Sequence, residues 1–291
     1  MRIARVLDPA SPGSARLAFV EDGEATFFAD AYASAGLEAL LASSATAIEA
    51  ARRATNGAPR HQLLGLALLA PFTRPSKILC VGQNYIDHND ETNFERPAEP
   101  PFFSKFASSI VGPGAPIDLP SIAPKRVDYE AELAVVIGRA GSNISESEAM
   151  SFVAGYTVGN DVSARDWQVK KPGGQWLLGK TFDTFLPLGP MFVSSDEIAD
   201  PHALRLTCTV SGELLQDDTT GSMIFSIPEL IAYVSRVCSL EAGDIILTGT
   251  PGGVGMSRTP PRWLRDGDVV VSAVEGVGTL ENPVRSLGIA G

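Results

Sequence analysis

Cysteine is scarce. Cys80, Cys208 and Cys238 are odd in number and far apart, which excludes a disulfide framework and a Cys-x-x-Cys metal or redox pair and suits a reducing cytoplasm. Positive charge is also in deficit: 23 Lys and Arg against 34 Asp and Glu give a net charge of -11. Neither nucleic acid nor an anionic membrane is therefore expected as a partner, since both need a basic footprint. Long hydrophobic runs are missing too. The strongest, Leu63 to Ala70, falls far short of the ~20 residues a bilayer requires, and no targeting signal opens the chain. The glycine-rich stretch Thr248 to Gly255 lacks the terminal Gly-Lys-Ser/Thr of a phosphate loop, and no strand-to-helix dinucleotide fingerprint occurs anywhere. It is expected to be a turn that lines a site. What is present is an ordinary composition, 44% hydrophobic and 20% charged over 291 residues, long enough for one large domain with a small one.

Against this background one stretch stands out. Val127 to Gly138 reads as a buried strand, yet it carries Glu130 and Glu132 ahead of Leu-Ala-Val-Val-Ile. Alternate residues of a strand share a face, so these two carboxylates are expected side by side, about 7 Å apart at ~3.3 Å per residue. Two ionised carboxylates beside an apolar run repel and are poorly solvated. Either one takes a proton or both share a cation, and a divalent metal is the simpler solution. The ordinary alternative is an edge strand with a solvated acidic face.

Elsewhere the chain alternates strands and helices. Residues 1–72 read as a small N-terminal domain of short strands (Ile3 to Leu7, Arg16 to Val20, Ala25 to Phe28) and an Ala-rich helix near Ala33 to Arg53. His61 falls there in a loop or helix start. Pro71 and Pro75 bracket a linker, and residues 73–291 form the large domain. A strand from Lys77 to Gly82 runs into a turn in which His88 and Glu91 share a helical face at i, i+3. A carboxylate so placed orients an imidazole and raises its basicity, as a general base requires. Thr92 to Pro101 is expected to be a mobile loop over a site. A strand from Phe152 delivers a third carboxylate, Asp161, at its end. Ser163, Arg165, Asp166, Gln168 and Lys180 follow as a polar set that a structural loop would not need. Ser145 with Glu148 and Ser226 with Glu229 fit capping boxes, the second opening a helix whose buried side is Leu230, Ile231, Val234, Val237 and Cys238.

Five motifs in this order resemble the fumarylacetoacetate hydrolase (FAH) family: V-G-Q-N-Y at 81–85 with His88 and Glu91, D-Y-E-A-E-L-A-V-V-I-G at 128–138, G-N-D-V-S-A-R-D-W-Q at 159–168, L-G-K-T-F-D at 178–183, and G-D-I-I-L-T-G-T-P-G-G-V-G at 243–255. S-K-F-A-S-S-I-V-G-P at 104–113 and R-x-P-P-x-x-L from Arg258 look most like the branch linked to oxaloacetate tautomerisation. The resemblance implies an α+β fold, a mixed β-sandwich roll with a small N-terminal domain, assembled as a homodimer. It implies Mg or Mn on Glu130, Glu132 and Asp161, a donor set that suits a hard cation. His88 and Glu91 match the general-base dyad, with Lys180 as third catalytic group. Gln83, Tyr85, Lys105, Arg165, Gln168 and Thr250 match substrate-contacting positions. One departure is Phe106 after Lys105, where many members have proline.

The expected substrate is a small anionic 2-oxo or diketo acid. Hydrolytic carbon-carbon cleavage of an acylpyruvate ranks first. Oxaloacetate tautomerisation or decarboxylation and isomerisation of a 2-hydroxyhepta-2,4-diene-1,7-dioate type follow, and a non-catalytic metal-binding scaffold is the rival from another class.

Overall fold

The computed structural model describes residues 1–11, 13–29, 36–43, 46–92, 95–123, 125–172 and 174–288. Its frame is a twelve-stranded mixed sheet. Ala131–Ile137 lies in the interior of that sheet, antiparallel to Val153–Asn160 on one side and to Ile245–Leu247 on the other. Every residue of this strand is buried. Both faces are covered, which is why it reads as a nearly continuous apolar run rather than an alternating one. Leu133, Val135 and Ile137 enter one core cluster, whereas Ala134 and Val136 enter another. An edge strand with a solvated acidic face is thereby excluded.

The first cluster is closed by a second, five-stranded sheet running Glu213–Thr219, Arg205–Val210, Val269–Val274, Gly278–Ser286 and Ile117–Leu119. Leu206, Cys208, Val210, Val270, Val274 and Leu280 face the large sheet from it. The α+β sandwich expected from the motifs is what forms. The helix Ile227–Ser235 covers one end, burying Ile227, Leu230, Ile231 and Val234. Its first turn is held by Glu229, whose carboxylate accepts the Ser226 N–H at 2.7 Å. Val237 does not continue the buried stripe: it lies past the last helical residue, where the helical period no longer governs, and is 77% exposed. At Ser145 the expected box does not form. Its hydroxyl donates to Glu148 at 2.7 Å but caps no backbone N–H.

The N-terminal strands extend the same large sheet. Arg2–Leu7 pairs with Leu186–Ser194 through Arg2↔Val193 and Ile3↔Phe192. Ile3, Leu17, Phe28, Leu37 and Phe72 share one core cluster with Ile78, Val136 and Ile245. The Ala-rich stretch forms two helices, Leu37–Ser43 and Ala47–Ala54, while residues 33–35 and 44–45 of the expected single helix lie outside the described residues. His61 is in the short strand Arg60–Gln62, its ring 4.8 Å from that of Phe27.

Candidate active site

The two strand carboxylates meet, but not on one uninterrupted strand. Pairing stops after Val127–Asp128 and resumes at Ala131–Ile137. In the gap, side chains take over from the ladder: Asp128 accepts the Tyr129 N–H and Asn160 accepts the Glu130 N–H, each at 3.0 Å. The third carboxylate follows the end of Val153–Asn160, where the Asp161 N–H donates to the Glu130 carbonyl at 2.8 Å. Glu130, Glu132 and Asp161 thereby bring carboxylate oxygens within 4.8 Å of one another, all three residues buried.

Cations surround this cluster. Lys180, at the end of the short helix Trp176–Lys180, donates to Glu130 Oε2 at 2.5 Å and to Asp161 Oδ2 at 2.8 Å. Arg165 opens the helix Arg165–Lys170 and lies 2.6 Å from Glu130 Oε1. Burial alone would raise the Glu130 carboxyl, but the charges of Lys180 and Arg165 bring it down to about 2. Glu132 goes the other way, pushed well above the usual carboxylate range by burial and by its like-charged neighbours Asp161 and Glu130. Its carboxylate has one backbone donor, Gly249 N–H at 2.7 Å. Buried carboxylates crowded this closely, offering oxygen donors only, fit a divalent magnesium or manganese ion.

The helix Ile86–Thr92 carries His88 and Glu91 on one face, with Nδ1 of His88 3.1 Å from Glu91 Oε1. Glu91 is fixed in turn by the Gly253 N–H, at 2.8 Å from its other oxygen. The glycine-rich turn thus presents one main-chain donor to Glu132 and another to Glu91. Gly253 must be glycine, because φ is +96° and a Cβ there would come 2.0 Å from the Leu215 carbonyl oxygen. Thr250 in the same turn donates to the Ala131 carbonyl at 2.9 Å and accepts from Gln216 at 2.8 Å.

These groups open onto a cavity of ≈ 210 Å³. Gln83, His88, Glu130, Glu132, Arg165, Gln168, Lys180 and Thr250 line it, as the motifs suggested. Lys105 does not. It is 3% exposed and lies behind the carboxylates, donating to Asp161 Oδ1 at 2.6 Å and to the Val162 carbonyl at 3.2 Å. Tyr85 is fully buried outside the lining. Both were expected to touch substrate; Lys105 follows the strand Phe102–Ser104 and is turned toward Asp161, and Tyr85 is a single bridge residue paired with Met223. Of the expected loop over the site, only Thr92 reaches the lining, and Asn93 and Phe94 lie outside the described residues.

Sequence reasoning missed the apolar wall. Phe103, Val169, Trp176 and Met256 supply it, and Trp176 stands edge-on to Phe103 with ring centroids 5.4 Å apart. Gly82 faces that indole so closely that a Cβ would sit 2.2 Å from it. No local pattern announces this contact. Asp128 was missed as well, although a signal existed: a buried charge two residues before Glu130 needs a cationic partner. That partner is Arg165.

Comparison with known proteins agrees with this geometry. Residues 77–285 match the fumarylacetoacetate (FAA) hydrolase C-terminal family. A mitochondrial oxaloacetate tautomerase of Xenopus laevis is 55% identical over 219 residues, covering 75% of this chain and 68% of that protein. Among solved structures, a fumarylacetoacetate hydrolase from Exiguobacterium antarcticum superposes with a TM-score of 0.87 at 36% identity, covering 99% of this chain and 100% of that one. A maleylpyruvate hydrolase from Sphingobium, solved with manganese(II) and pyruvate, gives 0.81 at 28% identity, covering 98% of this chain and 99% of that one.

Proposed function

The chain belongs to the fumarylacetoacetate hydrolase family, and on that premise we propose that it is a magnesium- or manganese-dependent oxaloacetate tautomerase. The observation that carries this reading is the 55% identity to a protein named for that reaction. It favours tautomerisation over the acylpyruvate hydrolysis ranked first from the motifs. The chemistry of the pocket agrees with it, since interconverting the keto and enol forms moves one proton between the C2 oxygen and C3. No attacking water is needed.

A cation on Glu130, Glu132 and Asp161 would supply Lewis acidity that favours the enolate. The chain's own side chains do the rest. Glu91 holds Nδ1 of His88, which leaves Nε2 as the basic nitrogen to take the C3 proton or return it. Burial tends to lower the Lys180 amine, but Asp161 and Glu130 outweigh this and raise it, so it stays an ammonium. That charge stands against the negative C2 oxygen. Arg165 and Gln168 offer donors to a substrate carboxylate, and the wall of Phe103 and Trp176 excludes water from the reacting carbons. The assembly we propose is a homodimer, to be checked by light scattering. The thiols do not choose a compartment. Cys80 and Cys208 are buried, and burial pushes both up, Cys208 to about 12, so they are inert in cytoplasm and mitochondrion alike.

The test follows the enol absorbance of freshly dissolved oxaloacetate with magnesium or manganese, alongside carbon-carbon cleavage of acetylpyruvate and maleylpyruvate. Metal-dependent loss of the enol signal well above the cleavage rates is expected. Rapid cleavage without tautomerisation would return the hydrolase reading to first place.

A further inference from the structure

Asp128 lines no part of the pocket and is completely buried, yet its two oxygens hold the pocket's arginine and two backbone N–H groups of the neighbouring turn. Oδ2 accepts from Nε of Arg165 at 2.9 Å and forms an ion pair with its terminal nitrogen at 2.8 Å, holding one edge of the guanidinium. The same carboxylate accepts the backbone N–H of Gly255 at 2.7 Å and of Met256 at 3.1 Å. Arg165 continues from this anchor to Gln168 Oε1 at 2.8 Å and to Glu130 Oε1 at 2.6 Å. A guanidinium is planar, so fixing one edge fixes the direction of the others. A single buried carboxylate therefore sets the plane of the pocket's arginine and ties it to the turn that holds Glu91 and Glu132.

We propose that Asp128 is a positioning residue for the reaction, acting through Arg165: the buried ion pair aims the guanidinium at the substrate carboxylate. The proposal rests on the tautomerase reading. Asp128→Asn is the direct probe. The amide keeps an oxygen for the Gly255 and Tyr129 N–H groups but sets an NH2 against the donors of Arg165 and Met256.

A double-mutant cycle of D128N with R165M, read as kcat and KM for oxaloacetate and as the Kd of oxalate with saturating magnesium, separates positioning from mere structure. R165M should lower kcat/KM on the order of 100-fold, the scale of a lost preorganised donor. D128N alone should cost about 10-fold or more, and less than about 2-fold when Arg165 is already gone. Additive losses would overturn the proposal. If D128N fails to fold, R165K decides the matter. Lysine keeps the charge but has no planar edge for Asp128 to hold, so R165K should match R165M, and near-normal turnover would show that orientation is irrelevant. An unaltered chain inactive on oxaloacetate would instead sink the functional reading, and the oxalate arm would still judge Asp128.

Discussion

The tightest contact in the pocket wall makes a quantitative test. In Gly82→Ala the new methyl would lie 2.2 Å and 2.7 Å from two ring atoms of Trp176. Ordinary carbon contacts are about 3.5–4.0 Å, so the indole must retreat by more than ~1 Å. Gly82 has no positive φ, so the whole effect is steric. Overpacking of this kind costs about 1–3 kcal/mol, and because the indole is only half-buried and can give way, the low end applies. A loss of ~1 kcal/mol corresponds to a fall in Tm of about 2–4 °C for a chain near this size. Activity should suffer far more than stability. Trp176 opens the one short helix that ends in Lys180, and Phe103 supports both side chains, with the Lys180 ammonium 5.1 Å from its ring centre. Displacing a catalytic group by ~1 Å costs on the order of 100-fold in rate. Gly82→Ala is therefore expected to melt within a few degrees of the unaltered protein while losing about 10- to 100-fold in kcat/KM for oxaloacetate. Adding Trp176→Leu should restore much of the loss by vacating the space. Unchanged kinetics in Gly82→Ala, or a double variant no better than the single one, would refute the wall-to-lysine coupling.

Glu132→Gln should abolish manganese binding by calorimetry and all metal-dependent turnover, with the circular dichroism spectrum intact; retained affinity would remove Glu132 from the metal site. His88→Ala should slow tautomerisation on the order of 100-fold or more, the scale of a lost general base, and unchanged turnover would assign the proton transfer to another group. Acid stability should report on Asp268. Partial burial works to raise its carboxyl, but Arg262, Ser211 and the Arg265 N–H outweigh this and hold it low. A depressed folded-state pKa stabilises above the ordinary value of about 3.9, and that contribution is lost as pH falls through the folded value. Urea midpoints of the protein and of Asp268→Asn should differ at pH 7 and converge on acidification; a constant gap would contradict the assignment.

The acidic pair was legible because its conflict with an apolar strand is local, and so was the His88–Glu91 pair, because helical spacing alone brings the two together. Lys105 and Tyr85 are buried outside the cavity lining for a reason that no spacing records: what they pair with, Asp161 and Met223, lies far away in sequence. The same holds for the N-terminal segment, whose place in the large sheet follows from the pairing of Arg2 with Val193. Trp176 and Gly82 meet across nearly a hundred residues. Aromatic and glycine positions become site residues only when the chain closes.

The carboxylate cluster is mounted on the buried centre of a twelve-stranded sheet, whereas Trp176, Val169 and Met256 ride on short helices or turns at its margin. Chemistry and selectivity therefore sit on parts of unequal replaceability. Under the proposed chemistry, changing those marginal elements would lengthen or shorten the acid accepted and leave the strand that carries the carboxylates undisturbed. A fixed carboxylate cluster with an exchangeable rim suits a family whose members are named for both hydrolysis and tautomerisation.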